Sequence, residues 1–229
     1  MANQITSVSS ASALATLSPT LPANTTDIAT LTSDEIKALS ASEFSKFTTA
    51  ELQLIQPEAI PGISAAQFGA MPTGIVAALT TDQVPQLTTA QIASLKNSQV
   101  QELKQTHLQV MSNAQVSNLT QSQIGSLTTA QITYLSADQI SALTTSQVIS
   151  LTPLQVGALQ PSQFGAMTGA QLSSLSSTQL VNVSSSDINT LLPNSAQIQA
   201  FTTSQVAAFS TQQISSLFAL SSLGFTEKQ

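Results

Sequence analysis

Leu143-Thr144-Thr145-Ser146-Gln147-Val148-Ile149-Ser150 is followed without a break by Leu151-Thr152-Pro153-Leu154-Gln155-Val156-Gly157-Ala158 and Leu159-Gln160-Pro161-Ser162-Gln163-Phe164-Gly165-Ala166. The three stretches are one eight-residue unit, L-T-T-x-Q-[IV]-x-[AS]. A fixed internal period decides the architecture before any other motif is considered. Extended in both directions, position 1 falls at residues 31, 39, 47 and onward to 191, and all 21 of these are Leu, Ile, Met, Phe or Val. Position 6, from Ile28 to Ile188, is apolar 21 times in 21. Position 5 is Gln in 13 of the 21 units and Asp or Glu in five, with Ala59, Ile75 and His107 as the exceptions. A two-residue insertion near Leu192-Pro193 shifts the frame, which resumes with Gln197, Ile198 and Phe201.

The apolar positions are separated by five residues and then three. Both are odd, so a strand would send them to opposite faces. On a helix, position 6 and the next position 1 are i and i+3 and share a face. The polar positions point the same way. Ser or Thr at position 2 with Gln or Glu at position 5 is a capping box, in which each side chain serves the other residue's backbone N–H. Pro57, Pro153 and Pro161 stand at position 3, the first helical residue, where proline loses no hydrogen bond. Asp34, Asp82 and Asp138 stand at position 4, in the first turn, where a carboxylate suits the positive helix end.

The predicted fold is therefore all-α: a solenoid of very short capped helices, one per octad, each running from position 3 to position 8 and closed by the next position 1. Helices this short are marginal alone, the threshold being about 12–15 residues, so packing against neighbouring units must hold them. Pro61 and Pro85 fall at position 7, late in the helix, where each removes an internal bond, and those two units are expected to be irregular. The alternative is a β-solenoid with stacked Gln and Thr rows. Against it, the chain has eight glycines and no fixed position for Gly, Asn or Asp to make a turn. The organisation expected is a degenerate N-terminal cap or docking segment over residues 1–22, the repeat over 23–217, and a C-terminal cap over 218–229.

Charged residues make up 7% of the chain, against about 25% in an ordinary soluble domain. There are five lysines, no arginine, no cysteine, and a net charge of −6. Lys96 and Lys104 do not amount to the clustered basic face that nucleic acid requires, and a nucleic-acid partner is not expected. No apolar run reaches the roughly 18 residues of a membrane span. The start, Met-Ala-Asn-Gln-Ile-Thr, has no positive region leading into an apolar stretch, so no N-terminal signal peptide of the usual form is expected.

Candidate chemistry is sparse. His107 stands at the Gln position of its unit, where it reads as a substitute capping residue rather than a metal ligand or general base. Glu35, Glu43 and Glu51 are eight apart and read as N3 capping residues. Asn24, Asn118 and Asn182 open glycosylation sequons, which arise by chance in Ser/Thr-rich chains. The sequence offers no glycine-rich phosphate loop, nucleophile elbow or His/Cys cluster. Catalytic, cofactor-binding and metal-binding residues are all expected to be none, and the chain is expected not to be an enzyme.

The units Leu87-Thr-Thr-Ala-Gln-Ile-Ala-Ser and Leu127-Thr-Thr-Ala-Gln-Ile-Thr-Tyr resemble the LTTAQI octad arrays of large bacterial surface and adhesin-like proteins, over about residues 23–217. The resemblance implies an extracellular or cell-surface structural or adhesive role. Joined to the neutral Ser/Thr/Gln-rich composition and the apolar residues near both ends, it gives the functional expectation: a self-assembling filament subunit or adhesin stalk, whose partner is another copy of itself. The alternative is a solenoid binding module that displays Thr, Ser, Gln and Asn to a surface glycan or another repetitive target.

Overall fold

The computed structural model describes residues 28–191 and 195–218. Each regular octad is a helix of four to six residues bounded by its own caps. In the unit that starts at Leu127, the helix is Thr129–Tyr134, positions 3 to 8, with Thr128 as N-cap and Leu135 as C-cap. The expectation of one capped helix per octad is met, and the β-solenoid is excluded for the described residues, which contain no strand.

The corner between helices is made by positions 1 and 2. Leu127 has φ −56° and ψ 142°, and Thr128 has φ −71° and ψ 159°. Two consecutive residues near the polyproline II region turn the chain out of one helix and into the next, and any L residue adopts that conformation. This is why the repeat needs no glycine at its corners, and why Pro72 is accepted at position 2.

Three units depart from α geometry, each for a stated reason. Pro57–Gly62 and Val84–Gln86 are 3-10 helices, and they contain Pro61 and Pro85, as the sequence predicted. The third, Thr73–Ala78, has Pro72 as its N-cap and Ile75 in place of Gln, so neither half of the capping box exists.

The chain divides into two compact units, Met1–Leu95 and Lys96–Gln229. Within each, an element packs on the third element after it. In the first unit Ser33–Ala38 lies against Pro57–Gly62, Ala41–Phe44 against Ala65–Ala70, and Thr49–Leu54 against Thr73–Ala78. In the second, Gln121–Ser126 lies against Thr145–Ser150 and Pro161–Gly165 against Ser185–Asn189. One turn of the coil therefore holds three octads.

The side chains at positions 1 and 6 form the core. Position 6 is at most 1% exposed from Ile36 to Ile188. At Gly157 and Gly165, position 7 lies close to the next turn. A Cβ on Gly157 would come within 2.7 Å of the Asn182 Cβ and 2.8 Å of its carbonyl oxygen, and one on Gly165 within 2.9 Å of the Thr190 hydroxyl. Where position 7 carries glutamine it bonds across the same gap: Gln101 Nε2 donates to Ser126 O at 2.9 Å, and Gln53 Nε2 to Ala78 O at 3.0 Å. The expected caps at 1–22 and 218–229 lie outside the described residues, apart from the backbone of Phe218, which ends the last helix.

Candidate functional site

The feature repeated throughout is the glutamine at position 5. In the unit that starts at Leu135, the Gln139 backbone N–H donates to the Ser136 hydroxyl at 3.1 Å, and the Ser136 N–H donates to Gln139 Oε1 at 2.8 Å. That is the capping box read from the sequence. The amide nitrogen does something else: Gln139 Nε2 donates to Leu108 O and Met111 O, both at 2.7 Å. These carbonyls belong to the C-terminal end and C-cap of Gln105–Val110, in the turn below. A helix leaves its last carbonyls without internal partners. Gln139 thereby adds a side-chain donor to the corner beneath it.

The pattern holds in both units. In the first, Gln67 reaches Ile36 O at 2.8 Å and Leu39 O at 2.9 Å, and Gln83 reaches Leu52 O and Ile55 O, both at 2.8 Å. In the second, Gln163 reaches Ile132 O at 2.8 Å and Leu135 O at 2.6 Å, and Gln171 reaches Ile140 O and Leu143 O at 2.9 and 2.7 Å. After the two-residue insertion the partners lie two residues further back in sequence, and the bonds persist: Gln205 reaches Leu172 O at 2.8 Å and Leu175 O at 2.6 Å. The position-5 glutamines from Gln67 to Gln179 are 0–4% exposed. These position-5 side chains are not part of the displayed surface, whereas glutamines elsewhere in the octad, such as Gln101, Gln121 and Gln160, are exposed with Thr, Ser and Asn. The reason is that each amide is consumed on both sides by backbone groups, its oxygen by the N-cap N–H of its own helix and its nitrogen by carbonyls of the corner below.

At Lys96, Lys104 and Gln160, which replace Ser or Thr at position 2, half of the box survives. Lys96 N–H donates to Gln99 Oε1 at 2.8 Å, and Gln160 N–H to Gln163 Oε1 at 2.6 Å. His107, 2% exposed, fills the same role: its Nδ1 accepts from the Lys104 N–H at 3.3 Å. It is the capping substitute that the sequence predicted. Asp187 caps through Oδ2, which accepts from Ser184 N–H at 2.9 Å and the Ser184 hydroxyl at 2.5 Å, but it is too short and has no donor to offer the turn below.

The surface is built from positions 2 to 4. Thr120, Thr144 and Thr168 are exposed one turn apart along one corner, as are Thr128, Thr152 and Ser176 along another. A shallow hollow lined by Val181, Val183, Ser184, Ser186, Ser210 and Gln212 offers hydroxyls and an amide but no titratable group. Asn118 and Asn182 are exposed, while Asn24 lies outside the described residues. Among the described residues no three His, Asp or Glu side chains come together as a metal site, and no helix is long and apolar enough to cross a membrane. Glu35, Glu43 and Glu51 each complete a capping box on successive helices of the first described turn.

A model of the ALTTAQ repeat matches residues 60–97. The chain is an array of LTTxQ-type octapeptide repeats. The matched stretch contains Leu87-Thr-Thr-Ala-Gln-Ile, Thr73–Ala78, Val84–Gln86 and the end of Pro57–Gly62, and the buried positions 1 and 6 continue in the octads on both sides of it. No curated protein is similar enough to this array to be matched.

Proposed function

We propose that this octad array is a structural repeat protein of the cell exterior, a filament subunit or the stalk of an adhesin, and not an enzyme. The observation that carries this reading is the glutamine ladder. Within each unit, turns are joined by bonds of one kind, made by position-5 glutamines such as Gln83 and Gln139, so the design can be repeated by whole turns. Such a construction supplies length and stiffness. The exterior address rests on the resemblance to bacterial surface arrays and on a nearly uncharged second half, where Asp187 is the only charged residue between Gln139 and Thr226. A surface with so little charge lacks the repulsion that keeps protein molecules apart. Fractionation of the native host with an antibody to the chain tests the address: recovery from the cell surface or medium is expected, and a purely cytosolic pool would overturn it.

The rows of exposed hydroxyls at Thr120, Thr144 and Thr168, and at Thr128, Thr152 and Ser176, favour a second reading as a binding module for a repetitive target such as a glycan. Saturable binding of the soluble monomer on a glycan array, abolished by Ala at those positions, is the result that would place this reading first.

A further inference from the structure

Asp187 ends the run of position-5 glutamines that extends from Gln115 to Gln179. Among the described residues it is the only buried carboxylate, at 4% exposed. Its octad keeps the register of its neighbours. A Cβ on Gly157 would meet Asn182, and one on Gly165 would meet Thr190, each 25 residues on, the separation that also joins Gln101 to Ser126. One octad before Asp187, Gln179 Nε2 donates to Val148 O at 3.0 Å and Leu151 O at 2.7 Å. The carbonyls that correspond to these for Asp187 are those of Val156 and Leu159, in the turn below.

All three groups at this corner are oxygens short of a positive partner. Asp187 Oδ2 accepts from the Ser184 N–H at 2.9 Å and the Ser184 hydroxyl at 2.5 Å, whereas Oδ1 has no donor among the described residues. Val156 O receives the Leu159 N–H at 3.2 Å, as Val148 O receives that of Leu151 at the same distance. Val148 O then takes a second bond from Gln179, and no described side chain gives one to Val156 O. Leu159 O, the counterpart of Leu151 O, has no described donor at all. No lysine or arginine stands in the chain between Lys104 and Lys228 to balance the carboxylate.

We propose that Asp187, Val156 O and Leu159 O form a binding site for a monovalent metal cation, sodium or potassium, which ties the turn of Asp187 to the turn below. The carboxylate is one methylene shorter than a glutamine amide, so the cation takes the place that Nε2 takes in the other octads. The site belongs to the inside of the coil and is independent of the filament and binding-module readings.

The donor set selects this class of ligand. A buried charge is stable when it is paired or coordinates a metal, and this one has no partner side chain. Carboxylate and carbonyl oxygens are ligands for hard cations. One positive charge balances one carboxylate. A water molecule has two protons for three acceptors and would leave one oxygen unpaired, where desolvation makes that costly. Calcium takes about six to eight oxygens, and magnesium a near-ideal octahedron. Three protein oxygens at a buried corner supply neither, whereas an alkali ion makes no such geometric demand.

The test follows the full-length chain by thermal unfolding and hydrogen exchange in sodium, potassium and N-methylglucamine chloride at one ionic strength. Wild type should melt several degrees higher in at least one alkali salt than in the organic salt. Exchange of the Ser184 amide should slow saturably as that salt is titrated in, about tenfold when the cation stands at ten times its Kd. Asp187→Gln puts an amide nitrogen where the ion would lie, and should melt at the same temperature in all three salts. Asp138→Asn, which removes an exposed carboxylate, should keep the wild-type salt dependence. Crystals grown in a thallium(I) salt should show anomalous density between Asp187 and the Val156 and Leu159 carbonyls, a measurement that stands even if Asp187→Gln does not fold. Equal wild-type melting in the three salts overturns the proposal, as does an Asp187→Gln chain that keeps the salt dependence. Water density at the corner in the thallium crystals overturns it as well.

Discussion

Replacing Gln139 by alanine removes three hydrogen bonds at once, and they differ in consequence. The Ser136 N–H loses its acceptor at the N-cap, a partly exposed site that water can serve. The Leu108 and Met111 carbonyls lose the amide that lies 2.7 Å from each, in a place where Gln139 itself is only 2% exposed. Stranding a buried acceptor costs about 1–3 kcal/mol. Two of them, with a small contribution from the cap, bring the expected loss for Gln139→Ala to about 3–5 kcal/mol. Ser136→Ala removes only the forward half of the capping box, and should cost about 0.5–2 kcal/mol. Urea unfolding followed at 222 nm compares the two directly, with hydrogen exchange at the Leu108–Met111 corner as a local readout, because a coil of repeats can open turn by turn. The reasoning is refuted if Gln139→Ala costs no more than Ser136→Ala. The glutamine would then be a capping residue only, and the inter-turn bonds would contribute nothing net.

Three further outcomes follow from named contacts. Gly157→Ala is expected to destabilise the chain, because the new methyl group meets Asn182 Cβ at 2.7 Å and its carbonyl oxygen at 2.8 Å, whereas Gly69→Ala, with nothing within 4 Å, should be neutral or stabilising by up to about 1 kcal/mol; thermal unfolding of the pair checks this. Asp187→Gln should raise stability by about 1–2 kcal/mol by restoring a donor to the Val156–Leu159 corner, and an unchanged urea midpoint would show that this corner needs no donor. The Glu43 carboxyl is held below its usual range, first by the Ser40 hydroxyl and then by the Ser40 N–H and Lys46, against a small opposing effect of desolvation. A depressed carboxylate contributes stability above its unfolded pKa and loses it as pH falls through the folded value. The Ser40 cap should therefore weaken only in acid, and exchange of the Ser40 amide measured from pH 6 to pH 3 should rise over that interval in wild type and much less in Glu43→Gln.

The helical period, the caps and the core were legible in the octad because each is local. The i to i+3 pairing of position 6 with position 1, and the reciprocal bonds of Thr128 with Gln131, close within one unit and need no tertiary information. Pro61 and Pro85 marked 3-10 segments for the same reason: a missing N–H acts on its own helix. Thr73–Ala78 could have been found by the same logic, since Pro72 and Ile75 together abolish the capping box.

What the amino-acid sequence could not determine by itself is what the glutamine amide nitrogen touches. A capping box is satisfied by Glu as well as by Gln, so local structure gives no reason for 13 glutamines at position 5. The clue was the preference itself, but its meaning needed the partners. Those lie 31 and 28 residues back, at Leu108 and Met111 for Gln139, and that separation follows from how many octads close one turn. Three per turn is set jointly by the short helices and by the bend of two extended residues such as Leu127 and Thr128, a sum of backbone angles that no side-chain pattern encodes. The sequence alone therefore determined the repeating element and its buried face. Only the tertiary structure decided which turn each element rests on, and with it what the amide nitrogen of a position-5 glutamine such as Gln139 bonds.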